Sequence, residues 1–199
     1  MSRTAMGIDH LEATGQPDPN TPGGQLPVPL EFVGRWTKAP LGFIHCEPAS
    51  QVPLQVGPGP AFPALGLTGS GDQEWIYIYH PADATNPLAA GDVCVRAGLF
   101  PATGNGAAYA DHSPGVATSG ASVIGVAQYA IPVGFFGFIL RKGPGAITYD
   151  AAAGGGLPLI TSATTVGEAA VGAATAAGFG VSITQVGAGI GGAILNCTG

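Results

Sequence analysis

The sequence predicts an all-β chain: an antiparallel β-sandwich or barrel preceded by an extended, proline-rich N-terminal arm. Three observations carry that expectation. Glycine (34) and proline (18) make up about a quarter of the 199 residues, which supplies turns at short intervals. Apolar residues are nonetheless 46% and charged residues 9%, the reverse of the apolar-poor, charge-rich composition that keeps a chain disordered. Between the turns the apolar residues fall in short runs that read with period two rather than in helical stripes. A domain of this length buries roughly 70% of its unfolded surface, so a core forms without staples.

Residues 1–40 differ from the rest of the chain. Gln16-Pro17-Asp18-Pro19-Asn20-Thr21-Pro22-Gly23-Gly24 admits neither helix nor ladder, and Leu26-Pro27-Val28-Pro29-Leu30 favours an extended polyproline-like backbone. The segment reads as an arm, with a loose terminus as the alternative. Leu30, Phe32, Val33 and Trp36 give it apolar anchors that a plain linker lacks, and Leu30, Phe32 and Trp36 are the candidate partner-binding residues. Residues 41–199 then form the β domain.

Within that domain, Glu74-Trp75-Ile76-Tyr77-Ile78-Tyr79-His80 is the clearest strand, with Trp75, Tyr77 and Tyr79 on one face and Ile76 and Ile78 on the other. Asp92–Arg96 is a short strand between glycine turns. Residues 112–140 contain no full charge, and their length would suffice for a membrane helix. Pro132 and Gly134 interrupt the most apolar part, however, Gln128 lies within it, and a proline in a helix interior costs about 3 kcal/mol. Membrane insertion is therefore not expected. Ser122–Ala130 reads as one strand, Ile131-Pro132-Val133-Gly134 as a turn and Phe135–Leu140 as the next strand, both apolar on both faces as in covered sheet. Arg141-Lys142-Gly143-Pro144-Gly145 reads as the polar loop that closes the pair. Further strands are expected at Ala146–Tyr149, Leu157–Thr161, Gly180–Val186 and Ala193–Leu195, a spacing that suits a sandwich or barrel. Glu168–Ala177 is alanine-rich and admits at most one short helix, for which Thr165 and Glu168 would form a capping box.

Charge argues against several functions. Six Lys and Arg stand against twelve Asp and Glu, a balance of -6, and the one adjacent basic pair is Arg141-Lys142, so nucleic acid is not an expected partner. Residues 151–199 carry the single charge of Glu168, which makes this part core or surface buried against partners. Cys46, Cys94 and Cys197 are odd in number and widely spaced, and the N-terminus lacks the apolar segment of a signal peptide; three reduced thiols are expected.

No motif carries chemistry. Gly187-Ala188-Gly189-Ile190-Gly191-Gly192 fits G-x-G-x-x-G, but too little chain comes after it for the helix and acidic residue that a dinucleotide needs, so it reads as a glycine turn between the last two strands. His10, His45, His80 and His112 show no paired ligand spacing. In His45-Cys46-Glu47 only His45 and Glu47 would share a strand face. Asp72 and Glu74 are two apart and would be the carboxylates of a β-fold hydrolase, the weakest of the readings. The expectation is a protein without catalytic residues, cofactor or metal.

The order Ala90-Gly91-Asp92-Val93-Cys94-Val95, then Val123–Ile139, then Gly156-Leu157-Pro158-Leu159 and a glycine-rich terminal strand resembles the head decoration, or cement, proteins and related minor structural proteins of tailed bacteriophages, over roughly residues 74–199. The resemblance implies a virion protein, made in the host cytoplasm, that binds the outer surface of an icosahedral head. Its partners would be the major capsid protein and itself, as a homotrimer. The alternative is a receptor- or glycan-binding module of a phage fibre or tail, with Trp75, Tyr77 and Tyr79 as an exposed sugar platform.

Overall fold

A computed structural model of the chain describes residues 41–47, 72–82, 84–96, 109–115, 123–152, 154–183 and 188–198, and among these there is no helix. The arm expected over residues 1–40, with Leu30, Phe32 and Trp36, lies outside them. The described strands are β1 (Ile44–Glu47), β2 (Gln73–Tyr79), β3 (Val93–Arg96), β4 (Ala110–His112), β5 (Val123–Val126), β6 (Phe136–Tyr149), β7 (Leu159–Thr161), β8 (Ala169–Val171), β9 (Gly180–Ser182) and β10 (Gly189–Asn196). The fold is all-β, as the glycine- and proline-punctuated apolar runs predict.

The 14-residue β6 organises the sheet. Its first half pairs antiparallel with β2, from Tyr79↔Phe136 to Glu74↔Lys142, and meets β5 at Val126↔Leu140. From β5 the sheet continues to β3 and β4, and β1 lies outside β2. The second half of β6 pairs antiparallel with β10, from Lys142↔Asn196 to Tyr149↔Gly189, and β10 carries β9. On its other side β6 meets β8 in parallel at Tyr149↔Ala169, and β8 carries β7. Each half curls until two of its strands meet through one isolated bridge: Tyr79↔Tyr109 between the end of β2, beyond the part that β1 covers, and the start of β4, and Pro158↔Val181 between β7 and β9. Neither seam is a ladder, so the sheet stays open.

The central stretch differs from its expected form in two ways. The first strand stops at Val126 rather than Ala130, because side chains take over the backbone's role at the adjoining bend. The Gln128 amide donates to the Ala146 carbonyl at 2.9 Å and accepts from the Ala146 N–H at 2.8 Å. The Tyr129 hydroxyl accepts from the Phe138 N–H at 2.9 Å. These bonds satisfy backbone groups of β6 that would be costly to bury alone. The turn at Val133-Gly134 forms as expected. The next strand, however, runs on through Arg141-Lys142-Gly143-Pro144-Gly145, the expected loop, into the expected separate strand at Ala146–Tyr149. Gly143 has φ 100°, and a Cβ there would run into the Asp72 carbonyl oxygen, beside the register shift between Glu74 and Trp75. The breakers mark where β6 changes partner from β2 to β10.

Two further expectations are corrected. The short helix allowed over Glu168–Ala177 is absent: Ala169–Val171 is β8, and residues 173–178 are non-helical turns and coil. Ser162 explains the lost cap, since its Oγ accepts from the N–H groups of Thr164 (3.1 Å) and Thr165 (2.9 Å) while its own N–H donates to the Glu168 carbonyl (2.9 Å). The supposed glycine turn is also strand, because Gly189–Gly192 lie in β10 opposite Tyr149–Ala146.

Both faces of β2 are covered. Trp75, Ile76, Tyr77 and Ile78 join one core cluster with Val93, Ile124, Val126, Phe138, Ile139, Leu140 and Tyr149, continuous into Leu159, Phe179, Ala193 and Leu195 of the second half. Burial of this apolar surface is the main stabilising term.

Candidate functional site

The seam between β2 and β4 brings histidines and acids together. At the end of β2, Tyr79 packs edge-on against Tyr109 with ring centroids 5.3 Å apart. His80, the next residue, is fully buried. Its backbone N–H donates to the Phe135 carbonyl at 2.8 Å, which fixes the ring at the strand end. Its Nδ1 lies 3.0 Å from the Ala110 carbonyl oxygen of β4, and its Nε2 lies 2.9 Å from the Asn86 carbonyl oxygen.

Across the seam, the Asp111 carboxylate folds back on its own strand. Its Oδ1 accepts from the His112 backbone N–H at 2.7 Å and stands 3.1 Å from His112 Nδ1. His112 Nε2 stands 3.1 Å from Asp92 Oδ2, which also accepts from the Ala89 N–H at 2.6 Å. The imidazole therefore sits between two carboxylates. The hydrogen bond to Asp92 raises its pKa most, burial opposes that rise, and Asp111 adds to it. Gly167 closes the pocket from behind, where a Cβ would come within 3.0 Å of the His112 ring. The rings of His80 and His112 meet edge-on, 5.9 Å between centroids. One donor atom from each of His80, Asp111 and His112 lies within 4.8 Å of the other two. Sequence spacing did not connect these residues, because only the curl of the folded sheet, closed at Tyr79↔Tyr109, places the end of β2 beside β4.

A second feature is a surface. Val181 (44% exposed), Ile190 (41%) and Ile194 (36%) lie on the outer face of β9 and β10. Ile194 is directly opposite Val181, and Ile190 is four residues from Ile194 and on the same face. No charged residue interrupts β9 or β10.

The residues singled out by sequence fall elsewhere. Trp75 and Tyr77 are buried, with Tyr77 stacked on Phe136 at 6.1 Å and packed against Phe138 at 5.0 Å, and Tyr79 is half-buried on Phe136 at 4.8 Å. They form no exposed sugar platform. Glu74 is held by Arg141 at 2.8 Å and Lys142 at 3.6 Å, so this carboxylate is shared by both members of the basic pair beside the bend in β6. His45 lies on β1 opposite Trp75, its ring edge-on to Phe138 at 6.3 Å. Cys46 is exposed, whereas Cys94 and Cys197 are buried, and burial pushes the Cys197 thiol up to about 12.

No protein-family model matches the chain, and no curated protein matches it. Among solved structures, the chain is similar to the N base of the head fibre protein gp8.5 of bacteriophage phi29, at a TM-score of 0.44 and 12% identity, over 61% of this chain and 94% of that one. A likeness that shallow fixes neither family nor function.

Proposed function

We propose that the chain is a structural protein of a tailed-phage virion that decorates the outer surface of the head, works by binding rather than by chemistry, and associates with itself and with the major capsid protein. The observation that carries this reading is the exposure of Val181, Ile190 and Ile194 together on one face of β9 and β10 in an all-β subunit. Exposed apolar side chains grouped on one face of a chain with 9% charged residues suit cover by another protein. The acidic balance of -6 suits the outside of a DNA-filled particle better than its lining. The resemblance to decoration proteins over residues 74–199 supports the same reading. Binding strength would come from avidity, with modest contacts repeated across an oligomer, a homotrimer in this reading, and around the shell.

The test mixes the full-length chain with purified heads lacking decoration and measures co-sedimentation, alongside the oligomeric state by sedimentation velocity. A stable oligomer that saturates heads is expected, and Ile194→Asp with Val181→Asp should weaken both by at least tenfold without unfolding the chain. A monomer that ignores heads ends this reading. Binding to host cells but not to heads would instead favour the fibre or tail module.

A further inference from the structure

We propose that His80, Asp111 and His112 form a binding site for a divalent transition metal of the zinc class, and that the ion closes the seam between β2 and β4. The proposal stands independently of the assembly role.

Donor chemistry comes first. Two imidazoles and a carboxylate are the nitrogen and oxygen set that zinc, cobalt and nickel prefer. The donors are already gathered within 4.8 Å of one another. At metal–ligand bonds of about 2.0–2.1 Å, donors on a tetrahedral ion stand roughly 3.3–3.4 Å apart, so coordination requires the widest pair to close by up to about 1.5 Å. Side-chain rotation on fixed strands supplies that.

The surroundings of His80 point the same way. A neutral imidazole carries one N–H, yet both His80 nitrogens face carbonyl oxygens, which only accept. In either tautomer one nitrogen presents a lone pair beside a carbonyl oxygen, an arrangement that a cation relieves. The other nitrogen keeps its hydrogen bond to a carbonyl, the outer partner that orients a metal-bound histidine. Asp92 does the same for His112 through Nε2, leaving Nδ1, on the Asp111 side, for the ion.

Electrostatics complete the case. Among the described residues, neither Asp92 nor Asp111 has an ion pair with lysine or arginine; the basic side chain that both face is His112. Arg141 and Lys142 are held on Glu74. Negative charge therefore accumulates at a partly buried seam, where a divalent ion gains most. Mechanically the site matters because the isolated bridge Tyr79↔Tyr109 and the His80–Ala110 contact join β2 to β4 there with no ladder between the two strands.

The experiment titrates the full-length, EDTA-stripped chain with cobalt(II) and follows the visible d–d absorption, then adds zinc. Saturation at one equivalent is expected, with displacement of cobalt by zinc and a rise in the thermal unfolding midpoint. His80→Gln, Asp111→Asn and His112→Gln should each weaken binding at least tenfold, while His10→Gln and His45→Gln leave it unchanged. Circular dichroism checks that each variant folds without metal; if His112→Gln does not, His80→Gln and Asp111→Asn still decide. Absence of saturable binding at one equivalent overturns the proposal, as does binding that survives His80→Gln and Asp111→Asn in folded protein.

Discussion

Gln128 occupies the place of a strand residue without being one, since its side-chain amide holds both backbone groups of Ala146. Replacing it by methionine, close in volume and unable to make either bond, strands a buried N–H and a buried carbonyl. Each such orphan costs about 1–3 kcal/mol. Gln128→Met is therefore expected to lower unfolding free energy by about 2–4 kcal/mol in urea denaturation, and a loss below about 0.5 kcal/mol would show that water or rearrangement serves Ala146 as well. The sequence marks Gln128 as a polar residue in an apolar run, which argues correctly against a membrane helix. Its partner, 18 residues away across a turn, is set by tertiary structure and is not readable there.

Elements were legible where their signal is local. β2 and β3 follow from alternation between turn residues, and the Val133-Gly134 turn follows from its proline and glycine. The stretch 141–145 was misread because glycine and proline mark a break in regular geometry, while the partner exchange that uses the break depends on β2 and β10, far off in sequence. Likewise the alanines of β8 favour helix, but intrinsic propensity is small beside tertiary contacts, and pairing with β7 and β6 overrides it. The histidine–carboxylate cluster escaped for the same reason: ligand-spacing rules detect residues on one element, and His80 and His112 are on two. Gly143 and Gly156 separate backbone strain from crowding. Both have positive φ, 100° and 78°, but a Cβ at Gly156 meets nothing within 4 Å, whereas at Gly143 it strikes the Asp72 carbonyl. Gly156→Ala is expected to cost about 1 kcal/mol and Gly143→Ala well over about 2 kcal/mol, compared by chemical denaturation; equal losses would mean that the bend in β6 yields.

At the scale of the whole molecule, the division that the sequence predicts between residues 1–40 and the β domain leads to a further expectation. A chain lacking residues 1–40 should keep its thermal unfolding midpoint within a few degrees yet bind heads more weakly, since Leu30, Phe32 and Trp36 are the proposed anchors; a collapse of the midpoint instead would make the segment part of the core. Within the domain, the two curled halves hang on opposite ends of one strand. They also share one continuous core cluster, so losing either half exposes apolar surface of the other and the two are expected to melt together. Calorimetry should accordingly return a single heat-absorption peak whose van't Hoff and calorimetric enthalpies agree. A subunit built on such a common spine resists stepwise loosening under sustained load and fails all at once.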